Sequence, residues 1–306
     1  MFKTLILVTG GTGTQGGAVI DALLARQVPL RALVRDPASA AAQALAARGV
    51  ELAQGDFDDA SSLAAAMAGV DGVFSMQNPP LPPDLEAELR AGRNLIDAAR
   101  AAGIDTFVHT SVARAGDQRD FSGWTEGRWW RDYWDSKSGV NDMVRAAGFA
   151  HWVILKPAYM MDNYVPPKAH WMYPTLETSG EIVTAMRPDT QLDLIDAADV
   201  GRFAAEAFMN PTRFQGQDID LAAEALTMTE IADIIAQAAG KPVTVLHATA
   251  EEGVARGYSA GLMLSDQWCN VEGYKVDLAK AHSHGITLTS FADFARRHVR
   301  SFLTGG

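Results

Sequence analysis

The run Leu5-Ile6-Leu7-Val8-Thr9-Gly10-Gly11-Thr12-Gly13-Thr14-Gln15-Gly16-Gly17 constrains this chain more than any other stretch. An apolar run from Leu5 to Val8 breaks into a glycine-rich turn, and Ala18 to Leu24 then carries helical apolar spacing. That pattern predicts a buried parallel strand, a tight turn and a helix start. Glycines at 10, 13 and 16 form G-x-x-G-x-x-G, one residue away from the usual G-x-G-x-x-G fingerprint. Small residues let the backbone turn sharply and let a pyrophosphate approach the helix N-terminus, where unpaired N–H groups and the dipole favour anions. A second strand, Leu30 to Val34, follows at βαβ spacing, so the turn reads as a dinucleotide cradle rather than an empty loop.

Composition narrows the partners. The 306 residues carry 26 basic and 37 acidic side chains, a net charge of -11. An acidic surface argues against nucleic acid or an anionic membrane as main partner, but a local turn and one arginine can still hold an anionic cofactor. The single cysteine, Cys269, excludes an intramolecular disulfide, and with no N-x-S/T site the expected setting is the reducing cytoplasm. The first apolar run is too short for a signal segment, and no stretch approaches a membrane span.

Five strands alternate with helices down to Thr110, with turn residues at the strand ends. This predicts an α/β, Rossmann-type doubly wound parallel sheet with its ligand beyond the strands' carboxyl ends. Those ends hold Gly10 to Gly16, Arg35, Asp56, Gln77, Asn78, Thr110 and Ser111. Arg35 stands where NAD-binding chains usually place an acid, and its charge suits a 2′-phosphate, so NADP(H) is the expected cofactor. Asp36-Pro37 reads as the N-cap and N1 of an alanine-rich helix running to about Arg48. Tyr133 and Lys137 are four apart and share a helix face; a cation beside a phenol lowers its pKa and makes it a usable proton donor or acceptor. Ser111 is placed to hydrogen-bond the same substrate oxygen.

The glycine turn, Val34-Arg35-Asp36-Pro37, Gly55-Asp56, Tyr133-x-x-x-Lys137 and Lys156-Pro157-Ala158-Tyr159-Met160-Met161-Asp162-Asn163 together resemble the NmrA-like branch of the atypical short-chain dehydrogenase/reductase superfamily. The resemblance implies a Rossmann fold with a smaller C-terminal substrate lobe and NADP(H) as cofactor. By it Gly10, Thr12, Gly13, Thr14, Gln15 and Gly16 line the phosphates and Arg35 holds the 2′-phosphate. Asp56 and Phe57 flank the adenine, and Lys137 reaches the nicotinamide ribose. Gln77 and Asn78 after the fourth strand, and Pro157 and Tyr159 after the sixth, complete the cofactor set. Many NmrA-like proteins lack the catalytic tyrosine; Tyr133, Lys137 and Ser111 resemble the Ser-Tyr-Lys set of active superfamily members.

Trp124 to Trp134 is dense in tryptophan, and Tyr159 to Tyr173 is rich in Tyr, Met, Trp and Pro. Trp130, Trp134, Tyr159, Met160 and Tyr164 are expected to wall an apolar substrate pocket, with Trp129 as plain packing. Residues 159–173 read as a loop and short helix, and Leu288 to Phe302 as one closing amphipathic helix. The expected division is a Rossmann domain over 1–157, completed by about 190–223, and a substrate lobe over 158–189 and 224–306. Gly257-Tyr258-Ser259-Ala260-Gly261 matches G-x-S-x-G, but a nucleophile elbow needs an apolar strand before it, and Thr249 to Arg256 looks helical. His282-x-His284 has no ligand set around it, and no metal is assigned. The reading is an NADP(H)-dependent oxidoreductase acting on a small aromatic carbonyl or quinone-like molecule. The alternative is a non-catalytic NADP(H) sensor of the NmrA type with a protein partner; a homodimer stays open.

Overall fold

The computed structural model describes residues 4–303. They divide into two compact units, the first comprising the chain up to Arg119, Trp130–Pro157 and Ala197–Asp220. The second comprises Asp120–Trp129, Ala158–Asp196 and the chain from Leu221 on.

In the first unit the apolar run forms β1 (Ile6–Val8), and the chain then alternates through α1 (Thr14–Leu24), β2 (Leu30–Val34), α2 (Ala40–Ala46), β3 (Glu51–Gln54) and α3 (Ala60–Ala66). It continues through β4 (Gly72–Ser75), α4 (Ala87–Ala101), β5 (Thr106–Thr110), α5 (Arg131–Ala146) and β6 (His151–Pro157). Those strands lie in the order β6-β5-β4-β1-β2-β3, paired in parallel, with the strand Gln217–Leu221 beside β6 as the seventh. The order reverses at β1, which makes the space beyond β1 and β4 the switch point where such sheets take ligands. All three residues of β1 are buried, as expected of a strand covered on both faces.

On one face Val73 and Phe107 pack with Leu95 and Ile96 of α4 and Val140 and Val144 of α5. Phe107 stacks on Phe149 with ring centroids 4.5 Å apart. The other face carries α1 against the helix Ala197–Met209. Their closest approach is at Gly201, where an added Cβ would run into the Ala18 carbonyl oxygen. Gly201→Ala should therefore cost about 1–3 kcal/mol by forcing the two helices apart. Chemical denaturation measures it; a loss near zero would mean that the helices shift freely.

Local capping differs from expectation in one place that matters. Helix α2 starts at Ala40 with Ser39 as its cap, because the Asp36 carboxylate instead accepts the Ala38 N–H at 2.8 Å. Asp59 caps α3 through the N–H groups of Ser61 and Ser62.

Within the second unit Tyr159–Met160 is a short strand rather than loop. It pairs in parallel with Leu192–Ile195, which pairs antiparallel with Glu224–Leu226. A 3-10 turn over Met161–Tyr164 and a short helix at Ala169–Met172 follow it. The helix Met228–Ala239 opens on a Thr227/Glu230 capping box and ends at Gly240 in the left-handed region. The expected closing helix is two, Phe291–Arg297 and Val299–Leu303, with the break at His298. No helix among the described residues is long and apolar enough to cross a membrane.

A candidate dinucleotide site at the switch point

Gly10 adopts φ +65°, a left-handed turn that favours glycine, and a Cβ on Gly16 would collide with the Gly10 carbonyl. Both observations explain why the turn needs glycine at those positions. The Gly13 N–H closes the turn on the Gly10 carbonyl at 2.9 Å. No side chain caps α1 at Gly13, and no acidic residue occupies its first turn. The first-turn N–H groups are left for an anion.

A cavity of about 820 Å³ opens there, entirely within the first unit. Eight of the residues expected to bind cofactor line it together: Gly10, Thr12, Gly13, Arg35, Asp56, Phe57, Gln77 and Asn78. Arg35 follows β2, and its guanidinium makes no hydrogen bond or ion pair among the described residues; only its carbonyl is engaged, by Gln54 Nε2 at 3.3 Å. The Asp56 carboxylate accepts the Asp58 N–H at 2.9 Å, and the Phe57 carbonyl accepts Asn94 Nδ2 at 2.8 Å.

Sequence reasoning missed several walls of this cavity. Arg90 of α4 lines it, held by Asp58 and Asp84 at 2.7 Å each, as do Ser39, Met76 and Ala87. Local pattern carries no indication of which α4 face turns toward the strand ends.

Gln15 does not line the cavity. Its carboxamide is tied across the sheet to Thr110, whose hydroxyl donates to Gln15 Oε1 at 2.7 Å. Thr14 and Gly16 begin α1 without lining the cavity wall, and Pro157 ends β6 with its carbonyl accepting the Ala113 N–H.

The Tyr133, Lys137 and Ser111 set is arranged differently from expectation. Lys137 Nζ donates to Glu88 Oε1 at 2.5 Å, and the other Glu88 oxygen accepts Ser136 Oγ–H at 2.6 Å. All three side chains are buried. Lys137 meets Tyr133 only over the ring, 5.8 Å from the centroid, so its charge does not sit at the hydroxyl. The Tyr133 phenol is pushed up rather than down, first by burial and then by the Glu88 carboxylate. The expected lowering of the phenol pKa is thus overturned, because a buried anion from α4 takes the lysine. Among the described residues no hydrogen bond joins Ser111 to Tyr133 or Lys137; Ser111 Oγ is buried without a partner.

Trp130 stacks on Tyr133 with centroids 5.4 Å apart, and Trp134 meets the same ring edge-on at 5.3 Å. Those two tryptophans do flank Tyr133. Tyr159, Met160 and Tyr164 are all buried members of the second unit. Tyr159 shares a 2.6 Å hydrogen bond with the Tyr173 hydroxyl, and Tyr164 stacks on Tyr173 with centroids 4.6 Å apart. Tyr164 also meets the Phe291 ring and Met228 Sδ. These contacts take up the Tyr159 and Tyr164 hydroxyls and the Tyr164 ring face. Trp129, the expected packing residue, donates Nε1–H to the Ser122 carbonyl at 2.7 Å.

Neither rival motif acquires chemistry. Ser259 caps the helix Ala260–Val271 by accepting the Leu262 N–H, and what precedes it is the helix Ala250–Ala255. His282 Nε2 lies 2.9 Å from the Ala223 carbonyl.

The cavity residues fit a phosphate-bearing dinucleotide. The glycine turn leaves room, the helix N-terminus and Arg35 supply positive potential, and Gln77 Oε1 is a buried acceptor with no protein partner.

Comparison with known proteins agrees with this geometry. The profile described as the NmrA-like family matches residues 2–287. An NAD(P)H azoreductase of Xenophilus azovorans is 32% identical over 312 residues, covering 97% of this chain and 99% of that protein. Quinone oxidoreductase 2 of Escherichia coli is 29% identical, covering 84% of this chain and 82% of its own. The crystal structure of an Escherichia coli NADPH-dependent quinone oxidoreductase complexed with NADPH superposes with a TM-score of 0.75 at 27% identity, covering 95% of this chain and 99% of that one.

Proposed function

Since this chain belongs to the NmrA-like family, we propose that it is an NADP(H)-dependent oxidoreductase that reduces quinone-like aromatic acceptors. The observation that carries the proposal is the single cavity joining the glycine turn, the unpaired Arg35 and Gln77 in a chain similar along nearly its whole length to two such reductases. Tyr133-x-x-x-Lys137 supports a place among the atypical short-chain dehydrogenases/reductases, and the lone buried Cys269 supports the cytoplasm.

When bound, NADP(H) supplies the hydride, and the acceptor takes up one further proton to become the hydroquinone. The chain's own residues bind, orient and exclude water. The glycine turn and the N-terminus of α1 would hold the phosphates, Arg35 would hold the 2′-phosphate, and Asp56 and Phe57 would flank the adenine. Lys137 Nζ spends one N–H on Glu88 and keeps two for the nicotinamide ribose. Ser111 Oγ offers a hydrogen bond to a substrate oxygen. Trp130 and Tyr133, both partly exposed and stacked on each other, would offer an aromatic surface to a flat ring, with buried Trp134 packed edge-on behind Tyr133.

A phenol with a raised pKa stays protonated and is a poor general base. A quinone-like acceptor needs none, because its reduced oxygen can be protonated by water. Tyr133→Phe should therefore keep turnover within a few-fold of wild type, far short of the about 10²–10⁴-fold loss of a deleted general acid–base group. A loss in that larger range, measured at saturating cofactor, would restore the proton role to Tyr133.

The test of the function is steady loss of reduced-nicotinamide absorbance with a panel of quinones and an aromatic azo compound. Turnover with any of them supports the reductase. Tight NADPH binding with no turnover across the panel would instead favour a cofactor sensor.

A further inference from the structure

Two buried side chains that no proposed step uses stand behind Gln77. Ser75 ends β4 and is paired in register with His109 of β5, and both are buried. His109 Nδ1 lies 3.1 Å from Ser75 Oγ and 3.2 Å from the Ser75 carbonyl. Gln77 Nε2 donates to the same Ser75 Oγ at 3.0 Å. Gln77 lines the cavity, and its Oε1 is buried with no hydrogen-bond partner.

We propose that His109 and Ser75 are positioning residues that fix the Gln77 carboxamide so that its oxygen faces the bound cofactor as an acceptor. The inference rests on the cofactor reading above.

The proton count gives the direction. Ser75 has one hydroxyl proton. With His109 protonated on Nε2, Nδ1 accepts that proton, Ser75 Oγ accepts from Gln77 Nε2–H, and the amide oxygen is turned away from Ser75. With the proton on Nδ1 and donated to the Ser75 carbonyl, the serine proton would seek the amide oxygen, and the NH₂ group would face the cavity. The Gln77 Nε2 contact with Ser75 Oγ fits the first arrangement, as does the 3.1 Å Nδ1–Ser75 Oγ contact, the shorter of the two that Nδ1 makes; the 3.2 Å approach to the Ser75 carbonyl is the one the second would use.

Only a neutral imidazole can accept at Nδ1. Burial, with the Lys137 charge as a second cause, pushes the His109 pKa down to about 3. A cluster serving packing alone would account for the Ser75–His109 contact. It would not account for a buried carboxamide oxygen left unpaired at a ligand cavity.

Sheet order says which part of the cofactor supplies the donor. Arg35 follows β2 on one side of β1, and Gln77 follows β4 on the other. A pyrophosphate over the β1 turn with its 2′-phosphate toward Arg35 must send its other half toward β4. The donor is a ribose hydroxyl or carboxamide N–H of the nicotinamide half.

The experiment compares binding of NADPH with that of 2′,5′-ADP, which keeps the phosphate-bearing adenosine half and lacks the other. Gln77→Leu and Ser75→Ala should each weaken NADPH about three- to tenfold and leave 2′,5′-ADP unchanged. The Ser75→Ala/Gln77→Leu double variant should bind NADPH no worse than Gln77→Leu, since Ser75 acts through Gln77. His109→Leu in the Gln77→Leu background should likewise add nothing to NADPH binding, whatever it does to melting temperature. Equal losses for both ligands, additive losses in either double variant, or lowered melting with unchanged NADPH binding in the Gln77→Leu or Ser75→Ala single variant would each overturn the proposal. Wild-type protein that bound neither ligand would instead overturn the cofactor reading itself.

Discussion

Glu88→Ala is expected to lower the unfolding free energy by about 3–5 kcal/mol, because it leaves the Lys137 ammonium buried without its counter-charge. The side chain of Glu88 is 1% exposed and that of Lys137 10%, so water cannot readily replace the lost carboxylate. Ser136 loses its 2.6 Å acceptor at the same time. Glu88→Leu combined with Lys137→Met removes both charges together and should recover most of the loss, since a buried ion pair repays its own desolvation poorly. Urea midpoints of wild type, the single variants and the pair measure the coupling. A Glu88→Ala loss below about 1 kcal/mol would mean that Lys137 finds solvent or another partner, as surface pairs do.

Arg35→Ala should weaken NADPH by roughly ten- to hundredfold and leave NADH nearly unchanged. A charge-assisted contact to phosphate is worth about 1.5–3 kcal/mol. The tertiary structure sharpens this expectation. The other cavity arginine, Arg90, is already held by Asp58 and Asp84, whereas the Arg35 guanidinium has no partner to give up among the described residues. The neighbouring Asp36 carboxylate, which could have favoured a ribose hydroxyl, is engaged by the Ala38 N–H. Arg90→Ala should thus change the NADPH/NADH ratio much less than Arg35→Ala. Titration of both cofactors against both variants tests this; equal losses of NADPH and NADH in Arg35→Ala would make Arg35 a structural residue.

The parallel sheet, the glycine turn and the residues lining the switch-point cavity were legible in the chain because their causes are local. Strand-sized apolar runs, glycines at 10, 13 and 16 and an arginine just past the second strand act within a few residues of themselves. The start of α2 was misplaced by a few residues, Ser39 replacing Asp36 as its cap, because two oxygens compete there for nearby N–H groups.

What the chain could not disclose depends on residues far apart in sequence. Glu88 sits in a charged stretch that reads as a solvated helix face, yet packing of α4 against α5 buries it beside Lys137, 49 residues away. That contact takes the lysine from the Tyr133 hydroxyl, and burial first, with the Glu88 carboxylate second, raises the phenol pKa instead of lowering it. Tyr159, Met160 and Tyr164 look like a pocket wall by composition, but an apolar aromatic residue serves a core as well as a pocket. Only the neighbours Tyr173 and Phe291 decide for the core. Local sequence therefore determined where the switch-point cavity lies. Long-range packing decided which ionisable groups meet, and so what chemistry they can do, because the charge and burial that set a pKa come from whatever the fold brings alongside.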